Sequence, residues 1–170
     1  MIESATAPLR SKRIHIGMDE AHRLGQGQYK QLFGNARSTS IFTEHLHQVN
    51  EICRKKNLKP LIWSDMLFTL SAQNAPPDQN CYYETKAPLD LHGSLPLNIN
   101  LVYWDYYHTN KEAYSKKIAD HRALGFEPFV ACGIWTWNRL VTALPFTFET
   151  TSACIQSCKS ENIKNVFSKL

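Results

Sequence analysis

The first apolar run of this chain ends at two adjacent carboxylates. Residues 13–18 alternate in character, with Ile14 and Ile16 as the apolar positions, and Asp19 and Glu20 follow directly. Because side chains on a strand alternate between its two faces, this run predicts a short half-buried strand. An acidic pair after a strand has two interpretations: catalytic groups at the carboxyl end of the strand, or the first turn of a helix, which acids also favour.

Beyond this pair the chain alternates between strand-like and helix-like patterns. The predicted strands cover residues 60–65, 98–105, 128–137 and 163–167, and the predicted helices cover residues 38–57, 110–124 and 147–160. An irregular segment, residues 72–96, contains a possible short strand at residues 81–84. Since parallel strands need a connection of helix length, the alternation predicts an α/β fold with a parallel sheet.

The strand ends favour one α/β fold in particular. Four successive predicted strands end in acidic or aromatic residues, and a (β/α)8 barrel collects such strand ends at one rim. A complete barrel typically needs about 250 residues, whereas this chain has 170 and about five predicted strands. We therefore predict one domain over residues 1–170 that is a partial TIM barrel. A doubly wound nucleotide-binding sheet is disfavoured, because the chain has neither a Gly-x-Gly-x-x-Gly nor a Walker-type loop.

Composition excludes several classes of partner. Lys and Arg total 19 against 15 Asp and Glu, and these charges are scattered, so no nucleic-acid partner is expected. No segment approaches the roughly 18 apolar residues of a membrane span, and the first ten residues do not resemble an export signal. Five cysteines without Cys-x-x-Cys spacing predict reduced, structural thiols and favour a cytoplasmic location.

The histidines give little support for a metal site. Only one constellation of histidine with carboxylates is visible, that of His15 with the acidic pair. His45 and His47 are two residues apart on a predicted helix, so they do not face together. We predict that His15 contacts and supports Asp19 without touching the substrate, and that no metal is bound. The remaining histidines are predicted to be surface or loop residues: His22, His92, His108 and His121.

Read together, these strand ends resemble those of glycoside hydrolase family 20, the β-N-acetylhexosaminidases, especially the branch that includes hexosaminidase D. Residues 15–20 are similar to the family's His-x-Gly-x-Asp-Glu signature at the end of its fourth strand. Residues 61–67, 102–107 and 134–137 resemble the fifth, sixth and seventh strand ends. The resemblance covers nearly the whole chain and implies strands four to eight, with the first three and most of the eighth missing. No residue matches the family's sugar-gripping arginine.

The resemblance implies a retaining glycosidase that removes terminal N-acetylglucosamine or N-acetylgalactosamine without a cofactor. In this family the sugar's own 2-acetamido group attacks the anomeric carbon, in place of a protein nucleophile. Glu20 would then be the general acid and base, and Asp19 would orient the acetamido group. An amino-sugar glycan is the implied partner. Because part of the barrel is expected to be missing, this chain would cleave such substrates slowly.

The tryptophans are the main candidates for binding the sugar. All four lie at or near a predicted strand end, namely Trp63, Trp104, Trp135 and Trp137. Indole rings stack on apolar sugar faces, although a single tryptophan is as often a core residue. Alternation predicts that Trp135 and Trp137 face the same side of their strand.

Three further residues are candidates for binding sugar hydroxyl or acetamido oxygens: Asp65, Asp105 and Tyr106. Tyr107 replaces Tyr106 if the strand register differs by one residue. A second interpretation of the whole chain is a non-catalytic carbohydrate-binding piece that forms homo-oligomers through its exposed strand edges.

Overall fold

The chain divides into two compact units, Met1–Asn100 and Leu101–Leu170. The computed structural model describes residues 1–72, 81–137 and 140–169. The elements of the first half are α1 (Ile2–Thr6), β1 (Arg13–His15), α2 (Gln28–Phe33), α3 (Ser38–Lys55), β2 (Lys59–Trp63) and α4 (Asp65–Thr69), with a 3₁₀ turn at Leu89–Leu91. They are followed by β3 (Asn100–Trp104), α5 (Lys111–Ala123), β4 (Phe129–Gly133), α6 (Leu144–Ser160) and β5 (Val166–Lys169).

In the first unit, two parallel strands are joined through a long helix. Residue Ile14 of β1 lies opposite Pro60 of β2, and His15 lies opposite Leu61. Helix α3 packs against β2 and buries one face, which carries Phe42, Leu46, Asn50 and Cys53. The spacing of these four residues follows the helical period, which explains why the sequence pattern predicted this helix.

In the second unit, the strands run in chain order and all neighbours are parallel. Tyr103 of β3 lies opposite Val130 of β4, and Ala131 of β4 lies opposite Phe167 of β5. Helices α5 and α6 pack against each other, and α6 also packs against β4. Strand β4 is buried along its whole length, as is typical of a parallel strand that is covered on both faces.

The predicted α/β class with parallel strands is confirmed in both units. Element boundaries differ from the predicted ones by up to four residues, and the differences at α6, β4 and β5 are among the largest. Helix α6 begins at Leu144 and not at 147, because Pro145 fits the first turn of a helix. Strand β4 ends at Gly133, and β5 begins only at Val166. The chain before β5 contains a left-handed residue, Asn162, with a φ of 57°.

One strand was predicted wrongly. Residues 81–84 form a turn, since the N–H and the hydroxyl of Thr85 both donate to the Cys81 carbonyl, at 3.0 and 2.7 Å. The main chain therefore closes on itself and is not available for a sheet ladder. Three short helices were not predicted: α1, α2 and α4.

Two predictions about titratable residues have different outcomes. All five cysteines are free thiols, which agrees with the predicted reduced state. The placement of His121 at the surface is wrong. Its side chain is fully buried on α5, and its Nδ1 lies 2.7 Å from the Lys117 carbonyl. No helix in the described residues is long and apolar enough to cross a membrane.

Candidate functional site

The acidic pair follows β1 in a segment with an unusual backbone. Gly17, Met18 and Glu20 all have left-handed φ angles, of 74°, 75° and 53°. A left-handed conformation costs a non-glycine residue roughly 1–2 kcal/mol, so two such residues in four mark a strained segment. The predicted strand alternation therefore stops at His15. Asp19 and Glu20 are both exposed.

Two hydrogen bonds connect this segment to the carboxyl end of β2. The Trp63 N–H donates to the Gly17 carbonyl at 3.0 Å. The Glu20 N–H donates to Oδ2 of Asp65 at 3.2 Å. Asp65 is the first residue of α4 and has no exposed surface. The segment that carries the acids is thus held through its main chain, which leaves both acidic side chains exposed to solvent.

His15 lies beside the acidic pair in a neutral state. Its Nδ1 accepts a hydrogen bond from the Gly17 N–H at 3.1 Å, so the ring proton belongs on Nε2. The imidazole lies against the Trp63 indole, with ring centroids 4.3 Å apart. Burial of the ring lowers the pKa of His15, although the Asp19 carboxylate acts in the opposite direction. The structure therefore brings His15 close to Asp19; its supporting role stays a prediction.

An open cavity lies next to the acids. Its volume is about 680 Å³, and residues 20–24 contribute to its lining. Glu20 is one of these residues, so the cavity adjoins the predicted general acid. A cavity of this size falls within the range of small-molecule sites.

The second unit contains a group of five aromatic residues, here called the aromatic cluster: Trp104, Tyr106, Tyr107, Trp135 and Trp137. Trp104 stacks on Tyr106 at 5.3 Å between ring centroids. Trp137 contacts Tyr106 at 5.3 Å and Trp135 at 4.9 Å. Tyr107 and Trp137 are the exposed members, at 46% and 42% of their surface. The cluster therefore presents aromatic surface to solvent above a buried base.

A hydrogen bond and a glycine fix the aromatic cluster. The Trp135 Nε1–H donates to the Tyr106 carbonyl at 2.6 Å. At Gly133, a Cβ atom would lie 2.6 Å from Cδ1 of Tyr106 and 2.9 Å from Cη2 of Trp137. No real Cβ atom makes contacts this short, so the two rings occupy the space that any side chain at residue 133 would need.

Asp105 is committed to internal hydrogen bonds. Its side chain is fully buried, and its Oδ1 accepts from the N–H groups of Tyr107 and His108 at 3.0 and 3.2 Å. Its Oδ2 accepts from the Tyr103 hydroxyl at 2.7 Å and lies 2.7 Å from Nδ1 of His108. The carboxylate thus caps the turn after β3; its predicted contact with a sugar stays a prediction.

The structure groups the predicted residues by unit. His15, Trp63 and Asp65 lie around the acidic pair, and the other tryptophans join Tyr106 in the aromatic cluster. Strand alternation was predicted to place Trp135 and Trp137 on the same side. Both lie beyond the end of β4, so their contact does not arise from strand alternation. Sequence reasoning missed Gly133, although a glycine at a strand end is itself a signal for close approach of other groups.

The geometry supports acid–base chemistry and aromatic stacking. Exposed carboxylates can exchange protons with a bound substrate, and exposed indole and phenol rings can pack against the apolar face of a ligand. In the described ranges, no three His, Cys, Asp or Glu side chains are grouped to hold a metal ion.

A scan against protein-family models and a search of curated proteins found no match to this chain.

Proposed function

We propose that this chain is the acid-bearing part of a β-N-acetylhexosaminidase of glycoside hydrolase family 20, built as a partial (β/α)8 barrel. In this proposal β1 to β5 correspond to the family's fourth to eighth strands. The observation that carries it is the acidic pair itself. Asp19 and Glu20 are exposed, follow a parallel strand, and sit on a strained main chain, features that are typical of catalytic groups in α/β enzymes.

The proposed reaction is hydrolysis with retention of configuration. Glu20 donates its proton to the glycosidic oxygen while the substrate's acetamido oxygen attacks the anomeric carbon and the glycosidic bond breaks. Asp19 accepts a hydrogen bond from the acetamido N–H and stabilises the positive charge that develops on the bicyclic intermediate. Glu20, now a carboxylate, removes a proton from the water that opens this intermediate.

The aromatic cluster is proposed to bind the sugar by stacking. The exposed faces of Trp137 and Tyr107 suit the apolar face of a pyranose ring, and burial of the other members keeps these two rings in place. Trp63 is proposed to contact the substrate near the acidic pair. Tyr106 remains a proposed ligand of a sugar oxygen. Asp105 has no exposed surface and both of its carboxyl oxygens are hydrogen-bonded internally, so it is proposed instead to hold the turn that carries Tyr106 and Tyr107.

The test is hydrolysis of p-nitrophenyl N-acetylglucosaminide and N-acetylgalactosaminide by the wild-type chain and by Glu20→Gln. Loss of a general acid and base typically costs about 10²–10⁴ in rate, so kcat should fall by that factor. Asp19→Asn should also lower kcat. Glu84→Gln is the matched control, because Glu84 is an exposed acid in the same unit. Unchanged kcat in Glu20→Gln would remove Glu20 from its proposed role.

The aromatic cluster also favours a second candidate function, non-catalytic carbohydrate binding. Its exposed rings need no acid to hold a sugar. Calorimetric titration with N-acetylglucosamine separates the two functions. In the binding-only case the wild-type chain binds the sugar without hydrolysing either substrate, and Trp137→Ala weakens binding while Glu20→Gln does not.

A further inference from the structure

The main chain at Glu20 needs a restraint. Its φ of 53° lies in a region that residues with a Cβ rarely adopt, and such conformations persist only when the surrounding structure holds them. Glu20 lies outside regular secondary structure, so neither a helix nor a sheet ladder supplies this restraint. A hydrogen bond donated by the Glu20 N–H group could supply the restraint.

Asp65 supplies an acceptor for that N–H. The Glu20 N–H donates to Oδ2 of Asp65 at 3.2 Å, and a buried carboxyl oxygen that lost this donor would be left with one fewer partner. Asp65 itself is well fixed, because it opens α4 immediately after β2 and is fully buried. Two residues earlier, the Trp63 N–H holds the Gly17 carbonyl. The end of β2 therefore holds both ends of the four-residue segment.

We propose that Asp65 is a positioning residue, which fixes the Glu20 main chain and so directs the Glu20 carboxyl group. This replaces the sequence-based interpretation of Asp65 as a sugar ligand, and the catalytic half of the inference rests on the proposed function. Burial argues for the replacement. A carboxylate without exposed surface cannot receive a sugar hydroxyl unless the surrounding chain moves, whereas it already holds the Glu20 amide.

Amide hydrogen exchange, followed by NMR on the whole chain, tests the restraint without reference to activity. The Asp19 N–H is the internal reference, since no acceptor for it lies among the described residues. In the wild type, the Glu20 N–H should exchange more slowly than this reference. In Asp65→Ala the Glu20 rate should rise about fivefold or more, because its hydrogen bond to the Asp65 carboxyl group is lost.

Asp65→Asn provides the conservative comparison, because its amide oxygen can still accept from the Glu20 N–H. The Glu20 exchange rate should remain within about threefold of wild type. Asp90→Asn is the matched control for an exposed aspartate in the same unit. Should Asp65→Ala fail to fold, the wild-type and Asp65→Asn rates decide the matter. A Glu20 amide as fast as that of Asp19 in both proteins overturns the proposal.

Hydrolysis then separates positioning from sugar contact. Asp65→Ala should lower kcat about 10²-fold with little change in KM, because misplacement of a catalytic group affects the chemical step. Asp65→Asn should restore most of kcat. A higher KM at unchanged kcat in Asp65→Ala would make Asp65 a substrate ligand and overturn the inference. Absence of hydrolysis in every protein, including wild type, contradicts the proposed function, while the exchange rates still decide whether Asp65 restrains Glu20.

Discussion

The acid-bearing segment of the first unit and the aromatic cluster of the second are held in opposite ways. Residues 17–20 are tied by hydrogen bonds to their main chain, and both acidic side chains remain exposed. In the aromatic cluster the side chains themselves are the support, since three of the five rings are buried and packed on one another. Under the proposed function, the groups that react are therefore the exposed ones, whereas the rings beneath the stacking surface are held by their packing.

This difference has a consequence for stability. Substitution of a buried ring of the aromatic cluster, or of a residue packed against it, should lower the free energy of unfolding, because well-packed interiors respond to changes of even one methyl group. Substitution of an exposed acid should cost little. The two regions can therefore be distinguished by the size of the stability loss.

The largest effect is expected from acid, through His121 in the second unit. Burial lowers the pKa of His121 from 6.5 to about 4, so the folded state keeps this ring neutral at pH values where the unfolded chain protonates it. Stability is then fully present above pH 6.5 and is lost as the pH falls toward 4. The loss should be about 3 kcal/mol, at 1.36 kcal/mol for each pKa unit. Urea unfolding between pH 7 and pH 4 measures it.

The control for this titration is His121→Gln, which cannot gain a proton. This variant should be less stable at pH 7 but should lose less stability between pH 7 and pH 4 than the wild type. His15 contributes in the same direction, because its pKa is also lowered by burial. An equal loss in both proteins would show that acid sensitivity arises outside His121.

Gly133→Ala should produce the next largest effect. The added methyl group would lie 2.6 Å from Tyr106 and 2.9 Å from Trp137, and overpacking of this kind costs about 1–3 kcal/mol. Near-ultraviolet circular dichroism should change as well, since the rings must move. Gly93→Ala is the control for the spectrum, because nothing lies within 4 Å of its Cβ position and its own stability loss comes from its φ of 77°. A near-ultraviolet spectrum that stays like wild type in Gly133→Ala would mean that the rings do not depend on this glycine.

The sequence predicted the elements that follow a regular period and missed contacts between side chains. Helix α3 and the parallel strands were predictable because their apolar residues repeat at helical or strand spacing. The burial of His121 was not predictable, because a charged residue, Lys117, is buried on the same face of α5. Polar residues on a buried face do not show in a hydrophobic pattern.

The candidate site was predictable as a set of residues but not in its geometry. The acidic pair and the tryptophans are visible as residue types at strand ends. Their arrangement depends on left-handed φ angles at Met18 and Glu20, and neither residue type favours that conformation. The acceptor at Asp65 lies 45 residues away from Glu20 in sequence, a distance at which no local pattern signals a hydrogen bond.

Gly17→Ala should have a smaller effect on stability than Gly133→Ala. A Cβ at residue 17 would meet only Oδ1 of Asp19, at an ordinary 3.5 Å, so the cost comes from the φ of 74°. An alanine in this conformation loses roughly 1 kcal/mol. Thermal unfolding measures the loss, and Gly93→Ala, with a φ of 77° and no close neighbour, should lose about as much. A loss in Gly17→Ala as large as that in Gly133→Ala would show that the acid-bearing segment is packed as tightly as the aromatic cluster.

The smallest stability effect is expected from the acids themselves. The double variant Asp19→Asn, Glu20→Gln keeps every main-chain hydrogen bond of the segment, so its free energy of unfolding should stay within about 0.5 kcal/mol of wild type. The pKa of His15, followed by NMR, should fall further, because the Asp19 carboxylate that raises it is gone. Glu84→Gln should leave that pKa unchanged. A stability loss above 1.4 kcal/mol, which is tenfold in the folding equilibrium, would mean that the acidic side chains themselves stabilise the conformation of residues 17–20.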